Sequence, residues 1–328
     1  MKIKIKNSEL KKLSSLESII SEKSPQEILS HILFEASDNT AAAFVTNLET
    51  ALQIKLECEI IESGDFSIVG NKICGISRNL KNDDYITITA YPETAKIKIT
   101  SGKFKTETQG FRKDDFPALN SFKSEKEFNI KIDTLKYMIE NVSFASLRDN
   151  IDNINKPYLN GVYFNFSNQD IKAVGSDGYR LAEITEKHNT EVECSFILPN
   201  KTVLELKKIN FNAETVKVSL DYKNIRFESD SVIYISRIID EKYPRYEQVI
   251  PVDYPHILNL KVSDLISGLN LVKSSADKQE KVLFNFSENK FEMTTAGNES
   301  ESIYEIETEL NFNIQIPFKI SYLLEFLK

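Results

Sequence analysis

Lys6-Asn7-Ser8-Glu9-Leu10, Lys131-Ile132-Asp133-Thr134-Leu135 and Lys261-Val262-Ser263-Asp264-Leu265 share one register. Counted from Lys to Lys they stand 125 and 130 residues apart. Each puts a Ser or Asp two residues after the lysine, ahead of an apolar pattern of helical spacing. That Ser or Asp is expected to cap the helix, its side-chain oxygen accepting a free backbone N–H of the first turn.

A second register lies inside each copy. Lys72 precedes ICGISRNL, Lys201 precedes TVLELKKI and Lys319 precedes ISYLLEFL, at spacings of 129 and 118 residues. Pro199 and Pro317 suit a helix start, where a missing N–H costs nothing. Each copy is thus expected to carry two helices. Around them the chain alternates apolar and polar residues, with β-branched and aromatic enrichment. Examples are YITITAY (85–91), KIKIT (96–100), GVYFNF (161–166), VKVSL (216–220), VIYIS (232–236) and VLFNF (282–286). These read as half-buried strands. Turn signals fall at Ser101-Gly102, Asp177-Gly178 and Gly297-Asn298.

Repeats at near-equal spacing predict an α+β protein of three repeated domains, each with two helices on one face of an antiparallel sheet. The expected boundaries are 1–124, 125–253 and 254–328, at the charged SEKEF stretch and at VDYPH. Pro117 follows Lys72 by 45 residues and Pro244 follows Lys201 by 43, but only nine residues follow Lys319. By that internal standard the third domain is expected to be C-terminally incomplete.

The 328 residues are 41% hydrophobic and 27% charged, with 10 Gly and 9 Pro, which excludes collagen-like and linker-dominated architectures. No apolar run approaches the roughly 20 residues of a membrane-spanning helix, and no signal-peptide core follows the N-terminal MKIKIK. A cytoplasmic location is expected. The three cysteines, Cys58, Cys74 and Cys194, and the three histidines are scattered without metal-ligand spacing, so no metal or cofactor is expected. A phosphate-binding loop, a dinucleotide fingerprint and a nucleophile elbow are not found in the sequence, which speaks against an enzyme.

The net charge of −8 argues against a simple cationic nucleic-acid binder. Its distribution tells more. The helical windows 6–22, 71–81, 131–148, 200–208, 261–278 and 318–328 together carry +8, leaving −16 on the rest. Either lysine is simply common on helix surfaces, or the helices share one surface that attracts phosphates while the remainder repels them.

Copy two also holds Val174-Gly175-Ser176-Asp177-Gly178-Tyr179-Arg180-Leu181-Ala182, which resembles the T-D-G-H-R-L-A signature of the bacterial DNA polymerase III beta subunits, the sliding clamps. Four further motifs agree in order. Thr46-Asn47-Leu48-Glu49 resembles the family's T-D-L-E, Phe116-Pro117-Ala118-Leu119 its F-P-x-L and Tyr158-Leu159-Asn160-Gly161 its Y-L-N-G. The stretch from Tyr243-Pro244 through Gln248-Val249-Ile250-Pro251 resembles its F-P-x-Y-x-x-V-[IL]-P.

The resemblance implies a non-catalytic processivity factor. It implies a head-to-tail homodimer, a ring of clamp domains around double-stranded DNA bound without regard to sequence. It also implies tethering of the polymerase III alpha subunit, with the clamp loader and repair polymerases docking through short clamp-binding peptides. The bore candidates are Lys11, Lys12, Lys72, Arg78 and Lys81 in the first copy. In the second they are Lys136, Lys201, Lys207 and Lys208, and in the third Lys273. The loop holding Arg148, Lys156 and Tyr158 corresponds to one that touches DNA in the family. The implied peptide pocket comprises Leu159, Ser176, Gly178, Tyr179, Arg180 and Leu181 with Pro244, Gln248 and Val249. Tyr179 replaces the family's usual His, and Gln248 stands where Arg is common. The family completes this pocket with terminal strands expected to be lacking here. The ring joint is expected between Lys103 and Lys105 on one edge strand and Glu301, Glu305 and Glu307 on another. A clamp-fold interaction module that does not close a ring is the alternative.

Overall fold

The computed structural model describes the chain except for residues 21–24, 38–39, 118–121, 148–155, 168, 190, 297–300 and 328. It forms two compact units, residues 1–242 and 243–328, so the boundary expected near 253 lies inside the second unit.

The first copy runs β1 (Lys2–Lys6), α1 (Asn7–Leu10), β2 (His31–Ser37), β3 (Thr40–Thr46), β4 (Thr50–Leu56), β5 (Cys58–Glu62), β6 (Gly64–Val69), α2 (Gly70–Asn79), β7 (Tyr85–Tyr91), β8 (Lys96–Ser101) and β9 (Phe104–Gln109). The second runs β10 (Lys126–Lys131), α3 (Ile132–Val142), β11 (Gly161–Ser167), β12 (Asp170–Ser176), β13 (Leu181–Lys187), β14 (Cys194–Pro199), α4 (Asn200–Lys208), β15 (Thr215–Leu220), β16 (Asn224–Glu228) and β17 (Val232–Arg237). The third runs α5 (Val262–Lys273), β18 (Lys281–Ser287), β19 (Lys290–Ala296), β20 (Glu301–Glu307), β21 (Ile314–Lys319) and α6 (Ile320–Leu327). All six strands read from the alternation are present.

The repeat reappears as topology. The strand orders β4-β3-β2-β6, β13-β12-β11-β14 and β20-β19-β18-β21 are one pattern used three times, all antiparallel. A second pattern, β1-β7-β8-β9 and β10-β15-β16-β17, occurs twice, with β5 added beside β1. One pairing joins two copies. Strand β17 pairs with β4 through Val232–Ser236 and Thr50–Ile54, fusing sheets of the first two copies into one of eight strands.

Helix spacing explains the packing. On α3 the residues Leu135, Met138, Ile139 and Val142 fall on one stripe and are at most 4% exposed. The helix packs on β12 and β13 and against α4. Gly175 permits this: a Cβ there would lie 2.2 Å from the Val142 carbonyl oxygen. The second unit has its own core of Leu269, Val272, Val282, Phe284, Phe291, Met293, Ile320 and Leu324, with α5 on α6, β19 and β20.

Two local expectations are corrected. The residues before α1, α3 and α5 are Lys6, Lys131 and Lys261, in extended conformation and without a side-chain cap bond. Ser8, Asp133 and Ser263 lie inside the helices instead. Each helix grows straight out of a strand or extended segment, so backbone carbonyls take the free amides: Asn7 N–H donates to Asp84 O and Ile132 N–H to Glu214 O. Pro317 is not at a helix start but inside edge strand β21, opposite Leu283. An edge position suits a residue with no N–H to donate. Pro199 ends β14 and is the residue before α4.

Candidate functional site

The candidate DNA-facing cations divide into two sets. In the first, the amine is spent within the protein. Lys136 donates to Ile209 O at 2.9 Å and Lys207 to Ser143 Oγ at 2.9 Å, lacing α3 to α4 at the helix ends. Lys12 pairs with Glu9 at 2.7 Å, Arg78 with Glu17, and Lys273 with Glu280 at 2.8 Å. Lys11 donates to Asn82 Oδ1. In the second set, Lys72, Lys81, Lys156, Lys201 and Lys208 have no ion pair among the described residues. All are exposed except Lys72, which is half-buried. Tyr158 is half-buried in the short turn Pro157–Leu159. Arg148 lies outside the described residues.

Sequence reasoning missed what holds the helix pairs in register. Asn7 is fully buried: its amide donates to Ser77 O at 2.9 Å and Leu80 O at 3.0 Å, and its Oδ1 accepts from Ser77 Oγ at 2.8 Å. Polar side chains thus satisfy carbonyls at the end of α2. An Asn beside a Lys carries no local signal for this.

The Ser176–Arg180 turn is a built structure. Asp177 Oδ1 accepts from the backbone N–H groups of Tyr179 (2.9 Å) and Arg180 (3.0 Å), and Oδ2 accepts from Arg180 Nε at 3.1 Å. Ser176 Oγ donates to Arg180 O at 2.7 Å and accepts from Gly178 N–H at 3.1 Å. Gly178 has φ +88°, the left-handed region that an L side chain rarely adopts. The Arg180 guanidinium reaches α3's end, donating to Phe144 O at 2.7 Å and lying over the Phe144 ring.

This arrangement leaves Tyr179 88% exposed and sets Gly178 beside buried Leu159, where a Cβ would lie 3.7 Å from Leu159 Cδ1; the Leu159 carbonyl accepts from Leu147 N–H. Leu181 is half-buried. The structure therefore brings together Leu159, Ser176, Gly178, Tyr179, Arg180 and Leu181. Asp177 and Phe144 are the organising residues that the sequence reading left out, although Asp-Gly was the visible signal for the turn. Pro244, Gln248 and Val249 belong to the other unit. There they are exposed around a short turn whose buried residues, Tyr243 and Tyr246, meet edge to face with ring centroids 6.2 Å apart.

Lys103 and Lys105 are exposed at β9, an edge of the five-stranded sheet. Glu301, Glu305 and Glu307 are exposed on β20, an edge of the second unit's sheet. Glu305 already pairs with Lys290 at 2.9 Å, which holds its carboxyl below the usual range.

The family model for the N-terminal domain of the DNA polymerase III beta subunit matches residues 1–120, and that for its central domain matches residues 129–245. The chain belongs to the DNA polymerase III beta subunit family. A beta sliding clamp of Haemophilus influenzae is 26% identical over 325 residues, covering 97% of this chain and 87% of that protein. One of Buchnera aphidicola is 28% identical over 339 residues, covering 100% and 90%. Solved beta subunits from Pseudomonas aeruginosa and Streptococcus pyogenes superpose with TM-scores of 0.90 and 0.92, at 23% and 21% identity. Each match covers 100% of this chain and 90% of the other. The sliding-clamp fold is therefore that of this family member as well. A second Pseudomonas aeruginosa clamp of the same fold was solved bound to griselimycin.

No helix among the described residues is long and apolar enough to cross a membrane. No group of three or more His, Cys, Asp or Glu side chains among them could hold a metal ion.

Proposed function

We propose that the chain is a DNA polymerase processivity factor: a homodimeric ring that encircles duplex DNA, slides on it and tethers the replicative polymerase. The observation that carries this reading is the distribution of charge over a sliding-clamp fold. Lys72, Lys201 and Lys208, borne on helices and without an ion pair among the described residues, sit on a chain of net charge −8. A ring held by topology needs no tight phosphate grip. A few exposed, strongly hydrated amines attract the backbone without fixing register, and salt weakens them further.

The domains on this reading are 1–124, 125–253 and 254–328. Lys72, Lys81, Lys156, Lys201 and Lys208 meet DNA directly. Lys11, Lys12, Arg78, Lys136, Lys207 and Lys273 act mainly by holding their helices, and Arg148 and Tyr158 belong to the DNA-side loop. The Ser176–Arg180 turn over Leu159 offers a docking wall for short apolar clamp-binding peptides, and Pro244, Gln248 and Val249 of the other unit are assigned to peptide binding on the family resemblance alone. Burying one Leu or Phe anchor contributes about 1.5–3 kcal/mol. Lys103 and Lys105 face Glu301, Glu305 and Glu307 of a second copy across joined sheet edges. Exposed pairs of this kind set register more than strength. The protein works in the cytoplasm beside the polymerase III alpha subunit and the clamp loader.

The test is product length. On primed single-stranded circles with polymerase and clamp loader, the chain should extend each binding event from short to very long products. The Lys72→Gln/Lys201→Gln/Lys208→Gln variant should lose loading efficiency. Product lengths unchanged by adding the chain would refute the reading.

A further inference from the structure

The repeat builds the Ser176–Arg180 turn a second time. In copy one the β3–β4 turn, Thr46–Thr50, stands 130 residues earlier and is bonded in the same way. Thr46 Oγ1 donates to Thr50 O at 2.9 Å and accepts from Leu48 N–H at 3.0 Å, as Ser176 Oγ does with Arg180 O and Gly178 N–H. Asn47 Oδ1 accepts from the backbone N–H groups of Glu49 at 3.0 Å and Thr50 at 2.8 Å, as Asp177 Oδ1 does from Tyr179 and Arg180. The left-handed backbone repeats too: Leu48 has φ +74° where Gly178 has +88°. That conformation is costly for an L side chain and free for glycine. Leu48 nonetheless occupies it, and is 47% exposed. The turn thus holds an apolar side chain out against both backbone preference and water, and strain of this kind clusters at ligand-binding positions.

Beside the turn lies a cavity of about 250 Å³. It sits at the β4–β17 seam, where Ala51 pairs with Ile235 and Thr50 with Ser236, and its lining includes Leu48, Ala51, Pro117 and Ile235. Ala51 belongs to a small satellite core with Leu33, Phe44 and Phe116, against which Ile235 packs, so the floor is apolar. The charged lining residues are Glu49 and Arg237, one of each sign, so apolar shape and not charge chooses the occupant. Clefts that hold a small molecule whole run to about 300–1,000 Å³. This one is smaller and suits one apolar side chain of a longer chain that continues outside. A second hollow of about 390 Å³ shares Asn224 and Arg237 with it and adds Tyr222, 69% exposed, which gives the rest of such a chain a surface to cross. Lys123 and Lys223 there are matched by Glu125 and Asp221.

We propose that the Thr46–Thr50 turn and its cavity form a second docking site for short apolar peptides, at the junction of copies one and two. This rests on the reading of the Ser176–Arg180 turn as a peptide wall: two turns built bond for bond alike serve the same class of ligand. The inserted anchor is a Leu or Phe side chain, packing on Leu48, Ala51 and Ile235. The site lies wholly within residues 1–242. Each chain then holds two such peptides at once.

The experiment is methyl NMR of the full chain, with Leu and Ile methyl groups labelled, titrated with the peptide Ser-Leu-Ser-Leu-Phe. The Leu48 and Ile235 methyls report this site, and those of Leu159 and Leu181 report the other wall, so the two readings are scored separately. All four should shift and saturate. A peptide with Ser at all three apolar positions should shift none of them. Leu48→Gly removes the side chain and suits the left-handed backbone, so the fold should hold. It should weaken binding read at Ile235 about three- to tenfold and leave the Leu159 and Leu181 curves unchanged. Unmoved Leu48 and Ile235 methyls, with Leu159 and Leu181 shifting, would overturn the second site and leave the first wall standing. Shifts confined to Leu48 and Ile235 would sustain this site and overturn the other wall. Shifts at Leu48 and Ile235 that grow with chain concentration, without peptide, would mark a second copy as the occupant and overturn the proposal.

Discussion

Asp177→Ala should unmake the turn that presents the proposed peptide wall. The carboxylate accepts three hydrogen bonds, two from backbone amides and one from Arg180 Nε. The Asp177 and Arg180 side chains are only 9% and 17% exposed, so water replaces these bonds poorly. Hydrogen bonds to a charged acceptor contribute about 1.5–3 kcal/mol each but are not additive, and breaking a largely buried pair costs about 3–5 kcal/mol. The alanine variant should therefore lose about 3–5 kcal/mol locally. Asp177→Asn keeps an oxygen for both amides but puts an N–H donor in place of the Oδ2 that accepts from Arg180 Nε, so it loses that one bond and the charge, about 1.5–3 kcal/mol.

Hydrogen exchange of residues 176–181 reads this directly, because those amides open with the turn. Protection at Tyr179 and Arg180 should collapse in the alanine variant and largely survive in the asparagine variant. Affinity for a short apolar clamp-binding peptide should fall about tenfold or more in the former. Equal protection in the wild type and Asp177→Ala would refute the reasoning. If the two variants behaved alike, the ion pair and not the turn would hold the loop.

Gly175→Ala should destabilise by about 1–3 kcal/mol or more in urea titration, because its Cβ meets the Val142 carbonyl oxygen and α3 must shift off β12. Glu205 of α4 is buried and accepts from Tyr234 Oη at 2.6 Å beside the β4–β17 seam; burial raises its carboxyl above the ordinary value. Its contribution to folding is therefore fully present below the ordinary carboxylate range and is lost as pH rises through the raised value. Glu205→Gln should make stability, measured from about pH 4 to about pH 8, fall less steeply than in the wild type. Burial also pushes the Cys74 thiol up to about 12 and Cys194 to about 11, so under native conditions iodoacetamide should label Cys58 before either.

Much of this architecture can be read locally. The lysine registers mark strand-to-helix junctions, since Lys6 and Lys131 end β1 and β10, and Lys319 ends β21 just before α6. Alternation in MKIKIK and YITITAY reports half-buried strands because one sheet face meets the core. The β17–β4 seam is not legible, because neither strand's pattern names its partner some 180 residues away. The capping error has the same root. Ser and Asp near a helix start are good caps when solvent surrounds the turn, but here neighbouring carbonyls reach the amides first. For the candidate site, residue types marked the cations while contacts sorted them. Lys136 and Lys207 look identical to Lys201 and Lys208 in sequence, yet their amines close the seam between α3 and α4.

Topological retention tests the central claim most directly. The chain, loaded by a clamp loader onto nicked circular DNA and separated from free protein by gel filtration, should stay with the circle in high salt. It should run off within minutes once a restriction enzyme cuts that circle. Release from intact circles at the same rate as from linear DNA would contradict the account.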